Sequence, residues 1–263
     1  MTTAKFVSNR SGQKIYCIVD YNNNLKGRLP VVLIVHGFKG FSTERHIGAI
    51  SDSLVDAGFI TLRPDLTKNP GRSYLPFSDM TYGQELLDLE DVFDYFAKLP
   101  QVDRAKIGIT GHSLGGLLAA EMAAKHQSIK SLVMLSAVYD FGFVAKRIFK
   151  KPFSQVKKDF EEKGVSVVWS QSLNRDLKIN KSFYEDVVFR TASKFAENIT
   201  CPTLVISSGS DESVSYSHAD RYLRTIGSKV KKMEVIPGAD HIYSGQTLNK
   251  VCQLVTNWFL KTL

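Results

Sequence analysis

The chain alternates short, continuous apolar runs with segments whose apolar residues recur every three or four positions. Residues 31–35 (VVLIV) form a β-branched run of the kind that a strand buried on both faces requires. Residues 59–62, 107–110, 132–135, 203–206 and 233–236 repeat that pattern. Residues 14–19 read as an extended strand and predict an antiparallel edge. Between the runs lie helical segments. Over 81–99, Leu86, Leu89, Phe93 and Phe96 share one face, Thr81 with Gln84 predicts a capping box, and Pro100 ends the helix. The last helix repeats the spacing with Leu248, Val251, Cys252, Val255, Trp258 and Phe259. Alternation of this kind predicts an α/β fold with a mostly parallel central sheet covered by helices on both faces.

Residues 140–200 break the alternation. They are Lys-rich and carry aromatics throughout, among them Phe141, Phe149, Phe160, Trp169, Phe183 and Phe195. Residues 165–169 and 177–179 predict a small hairpin, and Ser182 with Glu185 predicts a second capping box. The expected organisation is a core of residues 1–139 and 201–263 with an inserted cap over 140–200.

Composition narrows the class. At 263 residues, with 43% hydrophobic and 23% charged, the chain suits one large soluble domain. No apolar run approaches the roughly 18 residues that span a bilayer, and the first residues show no signal-peptide pattern. The expectation is a cytoplasmic protein without stable membrane insertion. Cys17, Cys201 and Cys252 fit neither a disulfide framework nor a zinc site and are expected to be reduced. The net charge of +8 comes with a cluster at Lys146, Arg147, Lys150, Lys151, Lys157 and Lys158. No nucleic-acid motif accompanies it, so nucleic acid is not an expected partner. Monomer and homodimer are both left open.

The chemistry concentrates in residues 106–118, KIGITGHSLGGLL. Gly111-His112-Ser113-Leu114-Gly115 matches G-x-S-x-G, a weak signal by itself. A β-branched strand runs into it and a helix-forming segment runs out, which is the context of a nucleophile elbow. Ser113 is the predicted nucleophile, and it needs a base. The elbow's chain order places acid and then histidine downstream. His241 follows the 233–236 run in a loop before the final helix, whereas His218 reads as a surface residue of a helix. Asp211 and Glu212 both leave the 203–206 strand; Asp211 is the expected acid, Glu212 the alternative, and Asp240 a third candidate. The backbone N–H groups of Leu114 and Phe38 are the expected oxyanion donors. His36 is expected to brace its loop rather than to react.

His36-Gly37-Phe38, Gly111–Gly116 (GHSLGG) and residues 237–241 (PGADH) together resemble the α/β-hydrolase superfamily. More narrowly they are similar to bacterial esterases of the feruloyl/cinnamoyl type and to serine-aminopeptidase-like hydrolases. The resemblance covers nearly the whole chain. Its acid loop normally reads G-x-x-D-x-x-V; here Ser208 takes the usual Gly position, counting from Pro202 gives Asp211, and counting from Gly209 gives Glu212. The resemblance implies a lid inserted after the sixth strand. It also implies a carboxylic ester hydrolase acting on a small-molecule ester through an acyl-enzyme, with no cofactor and no metal. Thioesterase, amidase, peptidase and lipase activities share the same machinery, and a non-catalytic binding protein of the same fold is the remaining alternative.

Overall fold

The structure, a computed structural model, describes every residue except Tyr74 and the side chain of Phe153. In chain order its strands are β1 (Thr2–Ser8), β2 (Lys14–Asp20), β3 (Leu29–Val35), β4 (Ile60–Asp65), β5 (Val102–His112), β6 (Ile129–Leu135), β7 (Val165–Ser170), β8 (Arg175–Asn180), β9 (Thr203–Ser208) and β10 (Lys231–Ile236). The α-helices are α1 (Arg45–Asp56), α2 (Tyr82–Ala97), α3 (Leu114–Lys125), α4 (Phe141–Phe149), α5 (Phe153–Lys163), α6 (Lys181–Val187), α7 (Tyr216–Thr225) and α8 (Gln246–Thr262).

Among the described residues, eight strands form one sheet in the order β1-β2-β4-β3-β5-β6-β9-β10. The strands from β4 to β10 in that order run parallel; β1 and β2 are antiparallel. The expected antiparallel strand is present as β2, but it is not the edge. β1 lies outside it, and its mostly exposed TTAKFVS carries no apolar run to announce it.

The unbroken apolar runs have a direct cause. In β3, Val31, Leu33 and Val35 join one core with Leu86, Leu89 and Phe93 of α2 and Leu117 and Leu118 of α3. Val32 and Ile34 point the other way, into a second core with Ile47, Ile50 and Leu54 of α1 and Val251, Val255 and Phe259 of α8. A strand sandwiched between two helix layers has no polar side to show. Each such side chain contributes about 1.5–3 kcal/mol by leaving water.

Between β6 and β9 the chain leaves the sheet for α4, α5, the antiparallel β7–β8 hairpin and α6. It departs and returns at one place: Asp140 bridges Thr191, Phe141 N–H donates to Arg190 O (3.2 Å), and Ala192 N–H donates to Tyr139 O (2.7 Å). Phe149, Phe160 and Phe183 are buried and pack through edge contacts such as Phe149–Phe160 at 5.7 Å. Phe149 and Phe160 thus build this segment's own interior, Phe183 also stacks on Phe38 of the core at 5.0 Å, and Phe143, Trp169 and Phe189 are exposed.

The two capping expectations divide. Thr81 Oγ1 accepts from Gln84 N–H (3.2 Å), but the Gln84 side chain turns to Asp88 (2.9 Å) instead of reaching back. Ser182 lies inside α6, which begins at Lys181 after Asn180. Lys181 N–H is already held by Gly164 O (2.8 Å) as the hairpin closes, so the helix starts earlier, and Glu185 pairs with Lys181 at 3.0 Å.

Candidate active site

Ser113 sits between the end of β5 and the first residue of α3, with φ 57° and ψ −118°. This is a costly conformation for a residue with a side chain, and the surroundings enforce it. Ser113 N–H donates to Leu135 O (2.9 Å), and Ser113 O accepts from Gly116 and Val138 (3.0 Å each). The flanking glycines are required by space. A Cβ on Gly111 would overlap the Gly115 carbonyl, and one on Gly115 would overlap His36 O and sit 2.6 Å from Val35 O. The turn therefore fits only because α3 presses directly against β3 and β5.

Asp211 and His241 leave the same end of the sheet. His241 Nδ1 lies 2.8 Å from Asp211 Oδ2, and the Asp211 side chain is 1% exposed. Asp211 Oδ1 accepts from Ser213 and Val214 N–H, each at 2.8 Å. Burial alone would raise the Asp211 carboxyl. The His241 bond and charge and the two backbone donors outweigh it and leave the group below its ordinary value. The alternatives point elsewhere. Glu212 is exposed and faces Lys146, Arg147, Lys150 and Lys151, and Asp240 accepts from Ser244 N–H at 2.8 Å. The count from Pro202 agrees with the observed pairing.

Ser113 and His241 line one pocket of about 220 Å³ with Phe38, Lys39, Arg147, Ile148, Lys150, Trp169, Gln171, Ser213 and Val214. Leu114 opens α3, so its N–H has no partner a turn earlier. Among the described residues the Phe38 N–H donates no hydrogen bond within the chain; its loop is closed instead by Gly40 N–H to Gly37 O (2.9 Å). His36 braces that loop as expected: Nδ1 donates to Gly37 O (2.9 Å) and Nε2 accepts from Leu66 N–H (3.2 Å). A larger depression of about 440 Å³, lined in part by Asn69, Pro70, Arg175 and Leu177, contains neither Ser113 nor His241.

Sequence reasoning missed the supports of His241. His112 Nε2 lies 2.8 Å from His241 O, and His112 Nδ1 lies 3.2 Å from His46 Nε2. A carbonyl only accepts, so His112 carries its proton on Nε2 and takes a bond from His46 Nε2–H. Burial lowers both rings, His46 to about 4. Two residues on, the buried Tyr243 hydroxyl donates to Ile206 O (3.1 Å) and meets Ser136 Oγ (3.0 Å), which also bonds Ser208 Oγ (2.9 Å). Ser208, at the usual glycine position, thus ties the loops after β6, β9 and β10 together. The only sequence signal was His112 itself, inside the G-x-S-x-G motif.

His218 is a correction. It is buried, not a surface residue, and its Nδ1 accepts from Tyr139 N–H (2.9 Å) at the departure point of the insertion. Burial, then Arg221 and Arg147, lower it to about 4. The unfolded chain gains a proton near pH 6.5, which the folded ring resists, so stability falls as pH drops from about 6.5 toward 4. His218→Gln, which keeps an acceptor but cannot titrate there, should show a smaller fall in Tm between about pH 7 and pH 4. An equal fall in both proteins would remove His218 from the acid response.

A strained serine between strand and helix, on a parallel sheet with a carboxylate–histidine pair at the same edge, defines an α/β hydrolase of the serine-hydrolase type. The chain belongs to the prolyl oligopeptidase family, which it matches over residues 46–263. It is similar to the ferulic-acid-bound structure of Est1E from Butyrivibrio proteoclasticus, with 27% identity, TM-score 0.80, and 98% and 99% of the two chains covered. A putative hydrolase from Agrobacterium vitis S4 shares the fold at 17% identity and TM-score 0.79, with 98% of each chain covered. In sequence the chain is 24% identical over 225 residues to the thermostable monoacylglycerol lipase of Bacillus sp. (strain H-257), covering 80% of this chain and 82% of that one. Among the described residues, no helix is long and apolar enough to cross a membrane.

Proposed function

We propose that the protein hydrolyses carboxylic esters of small to medium size through an acyl-enzyme. Ser113 Oγ attacks the ester carbonyl as His241 takes its proton, and Asp211 holds the imidazole and stabilises its charged form. The N–H groups of Phe38 and Leu114 stabilise the tetrahedral oxyanion. His241 returns the proton to the leaving alcohol, and a water activated by the same ring releases the acid. The reading rests on one observation above all: His241, held by Asp211 at 2.8 Å, lines the same pocket as a serine in an elbow conformation. The esterase and lipase relatives support ester over other acyl bonds. Residues 140–200 act in this reading as a lid, because Arg147, Ile148, Lys150, Trp169 and Gln171 supply one wall of the pocket.

The family match favours one competitor, cleavage of peptide bonds. A panel of p-nitrophenyl esters beside peptidyl p-nitroanilides separates the two. Ester turnover with labelling of Ser113 by a fluorophosphonate is the expected result. Anilide turnover without ester turnover would replace esterase with peptidase. Inertness to every substrate and to the probe would overturn the serine-hydrolase mechanism.

A further inference from the structure

The pocket that holds Ser113 and His241 has an unusual charge. Three cations line it, Lys39 from the loop after β3 and Arg147 and Lys150 from α4 and its C-terminal cap, and no carboxylate does. These elements belong to different parts of the fold, so the convergence is not one helix face showing its charged side. Lys39 is half-buried, with Nζ donating to Trp169 O across the pocket (2.8 Å).

Many of the insertion's other cations are paired, although among the described residues Arg175, Lys178 and Lys194, outside the pocket, have no ion pair either. Every lysine of α5 and α6 has an acidic partner: Lys157–Glu161 and Lys158–Glu162 at 3.7 Å, Lys163–Asp159 at 2.9 Å and Lys181–Glu185 at 3.0 Å. Lys151, just before α5, meets Asp159 at 2.8 Å. Among the described residues, Lys39, Lys146, Arg147 and Lys150 have no carboxylate within ion-pair distance. Two acids lie near them. The half-buried Glu44 acts electrostatically on Lys39, and the exposed Glu212 shares a surface depression with Lys146, Arg147, Lys150 and Lys151. Neither lines the pocket. Burial lowers the Lys39 ammonium and the Lys150 charge lowers it further, while the Glu44 charge opposes the shift. A cleft lined by one sign of charge between low-dielectric walls concentrates ligands of the other sign. Arg147 adds a planar fork that suits a carboxylate or phosphate.

We propose that the ester substrate carries an anionic group, a carboxylate or a phosphate, held by Lys39, Arg147 and Lys150 while its carbonyl lies at Ser113. This names the substrate class of the site and rests on the esterase reading above.

The test pairs each anionic ester with a neutral counterpart. Mono-p-nitrophenyl glutarate against p-nitrophenyl valerate puts the charge on the acyl side. 5-Butyryloxy-2-nitrobenzoate against p-nitrophenyl butyrate puts it on the leaving group. At least one anionic ester should be favoured by about 10- to 100-fold in kcat/KM at low salt. The advantage should shrink in about 1 M NaCl, where the screening length is about 3 Å. Arg147→Gln/Lys150→Gln should collapse the anionic-to-neutral ratio, and Arg147→Glu/Lys150→Glu should invert it. Lys157→Gln/Lys158→Gln removes the same net charge from paired positions outside the pocket, and its ratio should match the parent. Turnover of the neutral esters with no preference in either pair overturns the anionic substrate and leaves the esterase standing. An equal loss of preference in the Lys157/Lys158 variant also overturns it, because the overall charge would then be the cause. No turnover of any ester overturns both readings.

Discussion

Asp211→Asn is expected to lower kcat on a neutral p-nitrophenyl ester by about 10⁴-fold, with far less change in KM. The amide fits the same space and can still accept from Ser213 and Val214 N–H, which now hold the carboxylate at 2.8 Å. Its NH₂ would then face His241 Nδ1, where the carboxylate now accepts. The imidazole would be forced into the tautomer that carries its proton on the side of Ser113, where it cannot act as a base. The loss would come from chemistry, not from binding. Glu212→Gln should leave neutral-ester turnover close to the parent, because Glu212 faces solvent and the α4 cations. The reverse ranking would transfer the acid's role to Glu212. Steady-state kinetics on both variants, with circular dichroism to confirm folding, decides it.

Gly115→Ala should be among the most damaging single methyls in the chain. The added carbon would overlap His36 O and stand 2.6 Å from Val35 O, and both are backbone atoms of a central strand and its exit loop. No side chain can swing aside, so α3 must move off β3 and carry the elbow with it. Overpacking of a core usually costs about 1–3 kcal/mol; with only rigid backbone to yield, the upper end or more is expected. For a chain of this size that is roughly a 10 °C fall in Tm, with loss of activity. Gly48→Ala is the matched control. It lies inside α1, its Cβ would meet nothing nearer than Arg63 at 3.7 Å, and it should gain up to about 1 kcal/mol from helix propensity. Opposite shifts in calorimetric Tm are the expected result. A tolerated Gly115→Ala would mean that α3 is not pressed against β3 as described.

These two cases also show why parts of the molecule were readable beforehand. The central strands announce themselves because both faces are buried, and the elbow does so because crowding leaves only glycine on either side of Ser113. His241 was found by chain order and by its loop before the last helix. Other features depend on partners far away in sequence. β1 is an exposed edge whose pattern carries little apolar signal. His218 looks like any polar helix residue until the Tyr139 N–H is brought to it from 79 positions away. Ser182 had the right spacing for a cap, but the hairpin before it had already claimed the turn. The choice between Asp211 and Glu212 turned on a single residue of register, which only the fold could count.

The meeting of Asp140 with Thr191 has a consequence for descent. Ser113, Asp211 and His241 all stand on core loops outside that junction, and only one wall of their pocket lies within it. The segment between the two residues can therefore be exchanged without moving the elements that carry Ser113, Asp211 and His241, but Phe38, an oxyanion donor in the proposed mechanism, stacks on its Phe183 at 5.0 Å. A replacement twice as long adds only about 0.6 kcal/mol of closure entropy. What such an exchange would alter is the wall that carries Arg147, Lys150 and Trp169, so under the proposed mechanism new substrates can be acquired by swapping one cassette that keeps a partner for Phe38.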